Sequence, residues 1–393
     1  MNRNIFLLAL CQGIFYINNV TFIAINGLVG FTLAPWGWMA TLPVMGYVVG
    51  GALSTGIVAK IQSKWGRQIS FQIGLFIGLL SALLCGYAAY SHNFYLLVIG
   101  TVIAGFYSAN GQLYRFAAAE IADPSIKEKA ISWVLAGGLI GAIVGPNLAT
   151  QSKGWFNTPF LGAYLSLAVV AMLGMIVMYF VEFPKVIKSL KVNLGGRPLK
   201  EIMKQPVFIV TAVSAALSYG VMSLLMAATP LAMQTCGFPF SDAALVLQWH
   251  VIGMFAPGFI TGHLIKRFGS IPIMGVGLGL YVICIGVALS GTQLHQFLIS
   301  LFMLGIGWNF LFTGSTTLST LAFRPEEKDR VQGTINFFVF VTMAITSFTS
   351  GAVLVTQGWS WLNYGTIFPV SLIALLLLWF VKNQRGVSPT VPI

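Results

Sequence analysis

Charge is what this sequence has least of. Asp, Glu, Lys and Arg together make up 8% of its 393 residues, against about 25% in a soluble domain. A soluble chain of this length would fold into two or three water-facing domains, and so few ionised groups cannot clothe them. A soluble enzyme is thereby excluded. A disordered chain is excluded too, because 57% of the residues are hydrophobic and disorder requires low hydrophobicity. Cysteine is also sparse: Cys11, Cys85, Cys236 and Cys284 are scattered, with no metal-ligand or redox spacing. No GxxxxGK[ST] phosphate loop and no HExxH pair occurs, so neither ATP hydrolysis nor zinc chemistry has sequence support. No cofactor, metal ligand or catalytic residue is expected. What remains is a polytopic membrane protein.

Roughly 20 apolar residues cross a bilayer as a helix. Twelve segments meet that condition: 5–28, 37–60, 69–90, 94–118, 131–152, 161–183, 207–232, 244–265, 271–290, 297–322, 333–356 and 361–381. Most connectors are short; the exception runs from Pro184 to Pro206. With the N-terminus in the cytoplasm, 20 of the 21 Lys and Arg residues fall on the cytoplasmic side, and Lys153 alone falls outside. That asymmetry is the positive-inside signal. It predicts twelve helices with both termini cytoplasmic, in an inner or plasma membrane. The net charge of +12 is then a topology signal rather than a nucleic-acid footprint. The first span is too long for a cleaved signal and reads as a retained helix. Trp36, Trp38, Trp155, Trp359 and Trp361 fall at the outer ends, as an interfacial belt would. Within the linker, Leu199, Ile202 and Met203 share one helical face opposite Lys200 and Lys204. That pattern predicts a short helix on the inner membrane surface.

The linker divides the chain into six spans and six spans, giving the expected units 1–183, 184–206 and 207–393. The halves repeat. Ala59-Lys60-Ile61-Gln62-Ser63-Lys64-Trp65-Gly66-Arg67 follows span 2, and Gly262-His263-Leu264-Ile265-Lys266-Arg267-Phe268-Gly269-Ser270 follows span 8. Pro124 to Ala130, after span 4, has its counterpart in Pro325 to Val331, after span 10. On these loops the chain resembles the major facilitator superfamily over essentially its whole length. The resemblance implies an all-α integral membrane fold of two pseudo-symmetric six-helix bundles. It also implies alternating-access secondary transport, with the bundles rocking around a midplane site.

The family's loop 2–3 signature, roughly G-x-L-a-D-R-x-G-R-R, is matched by Lys64, Gly66 and Arg67, with Ala59 and Ser63 standing where glycine and aspartate are usual. The second copy keeps Gly262, Leu264, Arg267 and Gly269. The resemblance implies a cytoplasmic gate at these residues. Glu120 occupies the family's acidic position at the inner end of span 4, with Arg67 and Arg115 as its possible partners. In span 5, Gly141, Gly145 and Pro146 match the core of the antiporter motif G-x-x-x-G-P, without the glycine pair that usually follows. This favours efflux, while close helix packing explains the same residues. The basic residue that many drug/proton antiporters carry in helix 4 is replaced by Thr101.

The family fold implies a cavity lined mainly by helices 1, 4, 7 and 10, and intramembrane polar residues concentrate there. Span 1 carries Gln12, Tyr16 and Asn19; span 4 carries Tyr107, Asn110 and Tyr114; spans 7, 8 and 10 add Tyr219, Trp249, Trp308 and Asn309. Polar groups are costly in lipid, so they face either a site or a neighbouring helix. None of the nine acids lies near the midplane, which leaves His250 as the proton-coupling candidate. The predicted substrate is a small, neutral or weakly charged organic solute with ring or hydrogen-bonding character, carried by a monomer in the lipid bilayer with protons as possible co-substrate. Efflux is the first expectation. Uptake of a nutrient or cofactor-like molecule, as uniport or symport, is the alternative, and a non-transporting receptor a third. A channel filter has no counterpart in this sequence.

Overall fold

The computed structural model of the protein describes residues 3–123, 126–183 and 196–384. Among them are twelve helices long and apolar enough to cross a membrane, and no strand. They run Arg3–Leu33, Gly37–Trp65, Arg67–Tyr90, Phe94–Ile121, Ala130–Ser152, Leu161–Tyr179, Pro206–Thr235, Phe240–Phe268, Ser270–Leu289, Leu294–Ala322, Arg330–Gln357 and Trp359–Asn383. Twelve crossings bring both chain ends to one face, here termed the terminal face, opposite the far face. The expected loop residues Pro124, Ser125, Lys185, Lys188, Lys191 and Arg385 lie outside the described residues, as do the side chains of Lys127, Glu128 and Lys129.

Two spans are broken, and both breaks have local causes. Span 4 is helical over Phe94–Gly111 and again over Tyr114–Ile121, with Gln112 and Leu113 forming a turn between. Gly111 sits against the Phe15 ring so closely that a Cβ there would lie 2.3 Å from Cδ2. Span 8 is helical over Phe240–Phe255 and Gly258–Phe268. Pro257 stands at the break, where it has no N–H to give to the preceding turn.

The spans pack as a repeat. In the first six, span 1 packs on 5 and 6, span 4 on 2 and 3, and span 3 on 6. In the last six, span 7 packs on 11 and 12, span 10 on 8 and 9, and span 9 on 12. Adding six to each number maps one set onto the other. The repeated loops share a backbone device: Gly66 (φ 87°) and Gly269 (φ 86°) link spans 2–3 and 8–9 in a left-handed conformation that a side chain would strain. The two sets meet through spans 1 and 7, 2 and 11, and 5 and 8.

Two sequence expectations change here. The linker helix forms at Leu199–Met203, and the central residue of its apolar face packs on protein. Ile202 is buried among Phe208, Ala322 and Val331, so protein supplies the cover. Trp359 is no belt residue: it is buried, and its Nε1 donates to the Ala288 carbonyl at 3.1 Å. In span 8, Asp242 lies in the first helical turn, where a negative charge complements the helix dipole.

Candidate functional site

A cavity of about 210 Å³ lies between the two sets of spans, with room for a solute ring and not only a trapped water. Four helical stripes build most of its wall, each at i, i+3, i+4, i+7 spacing: Tyr16, Asn19, Val20 and Ile23 on span 1; Val44, Tyr47, Val48 and Gly51 on span 2; Tyr219, Met222, Ser223 and Met226 on span 7; Asn336, Val339, Phe340 and Met343 on span 11. Span 4 adds Ser108, Gln112, Arg115 and Phe116; span 8 adds Phe255; span 10 adds Trp308 and Phe312. Toward the far face the wall residues Met226, Ala227 and Ser347 are buried, while Thr55, Phe116 and Asn336 on the other side are exposed. The cavity therefore opens toward the terminal face.

Aromatic surface dominates its centre. The rings of Trp308 and Phe312, one turn apart on span 10, are nearly parallel at 5.2 Å, and Tyr219 stands edge-on to both. Tyr16 meets Phe255 across the halves at 4.6 Å. The neutral polar groups are Asn19, whose Nδ2 donates to the Tyr47 hydroxyl at 3.1 Å, and Ser223 with Ser347, whose hydroxyls are 3.0 Å apart. Trp308 Nε1 is buried without a partner among the described residues. Among the described residues Arg115 is the one charged residue on the wall.

Of the ten residues expected to bind substrate, Tyr16, Asn19, Tyr219 and Trp308 line the cavity and the other six do not. Tyr107 and Tyr114 are buried with Phe15 and Phe71 in a cluster inside the first six spans. Asn110 accepts from the Ser70 hydroxyl, and Asn309 accepts from Thr261 and donates to the Met254 carbonyl, so both join helices. Gln12 is buried away from the wall. Trp249 is 41% exposed on the outer surface, against Phe302. His250 is likewise off the wall: its Nδ1 lies 2.7 Å from the Leu301 carbonyl of span 10. Missed were Tyr47, Gln112, Ser347 and the stripes of spans 2 and 11. Spans 2 and 11 are mostly apolar, so polar content did not single them out, although their helical spacing was legible.

The Gly141-Gly145-Pro146 segment packs on span 1. A Cβ on Gly141 would lie 2.3 Å from Tyr16 Cβ, and Thr21 Oγ1 donates to the Gly145 carbonyl at 3.0 Å. The segment thereby sets where Tyr16 stands. At the terminal face, Arg67 grips Glu120 through both Nε and Nη2. Arg115 takes no part in that pair; its guanidinium lies over the Phe116 ring instead. Lys64 and Arg267 stack on the neighbouring Trp65 and Phe268. In the last six spans the loop acid is Glu327, whose buried carboxylate accepts from Arg197 Nη2 at 2.8 Å and from the Arg324 N–H at 2.9 Å. Arg197 and then the Arg324 N–H hold its carboxyl well below the usual carboxylate range.

The far face is closed by contacts between the halves. Thr41 Oγ1 donates to the Phe348 carbonyl at 3.2 Å and accepts from the Gly351 N–H at 3.1 Å. Trp38 stands edge-on to Phe348, and Asn147 Nδ2 donates to Gln248 at 3.0 Å. The Lys153 ammonium lies over both Phe160 and Phe240. Among the described residues no cluster of His, Cys, Asp or Glu could hold a metal ion.

The chain is 37% identical over 388 residues to the riboflavin transporter RfnT of Brucella anthropi, covering 98% of this chain and 97% of that protein. Its fold is similar to that of the nucleoside transporter NupG (TM-score 0.74, 12% identity, covering 97% of this chain and 99% of that one). It is similar also to the partially occluded inward-open xylose transporter XylE of E. coli (TM-score 0.73, 16% identity, covering 97% and 98%). The Major Facilitator Superfamily model matches residues 5–257 and 211–392. The chain is a multi-pass membrane transporter and belongs to the major facilitator superfamily.

Proposed function

We propose that the protein is an uptake carrier for riboflavin or a closely related flat, cofactor-like heterocycle in a bacterial inner membrane. The observation that carries this reading is the 37% identity, over nearly the whole of both chains, to a protein named as a riboflavin transporter. The cavity suits such a solute. Trp308, Phe312 and Tyr219 offer faces and edges for a ring system, and Asn19, Tyr47, Ser223 and Ser347 offer neutral hydrogen-bonding groups. Among the described residues nothing acidic lines the wall to demand a cationic substrate.

In this reading the terminal face is cytoplasmic, as the basic residues indicate. Units 1–183 and 207–393 rock as bodies about the cavity, as a monomer, and the linker 184–206 tethers them. The structure's state is then inward-facing, with the Thr41, Trp38 and Asn147 contacts serving as the outer gate. The Arg67–Glu120 and Arg197–Glu327 pairs brace the inner loops of each half. Uptake replaces efflux as the favoured direction, because the span-5 glycines have a packing role against Tyr16 and Thr21. Import of labelled riboflavin by a flavin-auxotrophic bacterium expressing the protein tests this. Accumulation well above the empty-vector control, competed by unlabelled riboflavin, is the expected result. Accumulation at the control level refutes the substrate assignment.

A further inference from the structure

Arg115 is an isolated charge in a neutral cavity. It lies just past the break in span 4, and the turn at Gln112 and Leu113 brings it onto the wall beside Phe116. Among the described residues no other Lys, Arg, His, Asp or Glu lines the cavity. The acid further along its own helix, Glu120, is taken by Arg67, and Arg115 has no ion pair among the described residues. Its Nε is buried and has no hydrogen-bond partner among the described residues. The residue is half-buried, and its guanidinium carbon lies 4.9 Å from the centre of the Phe116 ring.

A guanidinium is never deprotonated, and it presents planar, paired donors that match an oxygen pair. Left unmatched beside a low-dielectric wall it is costly. A ligand that brings an anionic or carbonyl oxygen to it recovers charge-assisted hydrogen bonds. A ligand that brings an ammonium meets uncompensated repulsion. The aromatic body of the solute has its own surface at Tyr219, Trp308 and Phe312 on the opposite half.

We infer that Arg115 is the residue that sets charge selectivity in this cavity: it receives the anionic or oxygen-acceptor end of a ring solute and rejects solutes that carry an ammonium. This rests on the proposal that the cavity is the transport site, and it adds which chemical end of the solute is read, and by what. A flavin satisfies the requirement through its ring carbonyls, and its 5′-phosphate would do so through an anion.

The test is binding to the purified full-length chain, measured by isothermal titration with two probes of one ring and opposite charge, indole-3-acetate and tryptamine. The wild-type protein should favour the carboxylate by about tenfold or more, as expected when one probe makes a charge-assisted hydrogen bond and the other cannot. Arg115→Gln should bring the ratio to near one, and Arg115→Lys should keep a preference for the carboxylate. A merely structural arginine would weaken both probes together and leave the ratio alone. A wild-type ratio near one, an unchanged ratio in Arg115→Gln, or no binding of either probe to the wild type would each overturn the inference. Riboflavin and its 5′-phosphate, titrated in parallel, distinguish carbonyl from phosphate as the acceptor that Arg115 reads. If neither flavin binds while the indole ratio still depends on Arg115, the flavin assignment fails and the selectivity role stands.

Discussion

Replacing Thr41 by valine removes one hydroxyl from the seam that closes the far face. That hydroxyl donates to the Phe348 carbonyl at 3.2 Å and accepts from the Gly351 N–H at 3.1 Å, and the residue is fully buried. Valine keeps the shape and deletes both bonds. A net intramolecular hydrogen bond contributes about 0.5–1.5 kcal/mol, so the pair contributes roughly 1–3 kcal/mol to the closed seam. Both bonds join span 2 to span 11 and vanish when the halves part at this face, so the whole amount bears on the balance between closed and open forms. The open-to-closed ratio should therefore rise about 5- to 150-fold. Spin labels at Tyr90→Cys and Thr292→Cys, both exposed on the far face, report that ratio as a second, longer distance in a pulsed double-resonance experiment. The exposed Cys236 is first replaced by serine, while the three buried cysteines stay. The closed form, deprived of two bonds, should also unfold at a lower temperature. An unchanged distance distribution together with an unchanged unfolding temperature would refute the assignment of Thr41 to the seam.

Trp308→Ala should weaken riboflavin binding by roughly 1–3 kcal/mol, the scale of one ring-stacking contact, and titration of the purified protein would show it; affinity equal to wild type would remove Trp308 from the site. Gly141→Val forces a branched side chain against Tyr16, where even a Cβ lies 2.3 Å from Tyr16 Cβ, and should cost about 1–3 kcal/mol or more of stability and lower transport; unaltered melting would contradict the packing role. The Glu327 carboxyl is held below its ordinary value near 4.5, by Arg197 first. Its contribution to stability is thus complete above that value and fades as the pH falls toward the depressed one. Between pH 5 and pH 3, on the order of the usual carboxylate range, the wild-type unfolding temperature should drop more steeply than that of Glu327→Gln, and parallel slopes would argue against the clamp. His250→Gln should leave the pH profile of transport unchanged and lower thermal stability, because His250 is bonded to span 10 and stands off the cavity wall; a shifted profile would restore it as a coupling group.

The number and type of membrane crossings were legible in the chain, because runs of about 20 apolar residues between basic loops leave little choice of structure. The repeat was equally plain in the loops at Gly66 and Gly269, since a backbone conformation open mainly to glycine leaves its mark in sequence. The site was legible only in part. Tyr16, Asn19, Tyr219 and Trp308 stand out in the sequence because polar atoms in lipid are costly. Yet a polar residue in a membrane helix satisfies itself equally well against a neighbour, as Asn110 does with Ser70 and Asn309 with Thr261. Helical spacing says which residues share a face and is silent on what that face meets. Packing decided that the stripes of spans 2 and 11 join the wall, and that Trp249 faces outward. It also settled Arg115. In the chain it is one basic residue near the end of a span, and a gate partner for Glu120 is the role its position suggests. The turn after Gly111 rotates it onto the cavity wall, and Arg67 takes the acid that would have paired with it. Partition between water and lipid is a local property, which composition records; the choice between two partners for one side chain depends on distant segments, and only their assembly makes it.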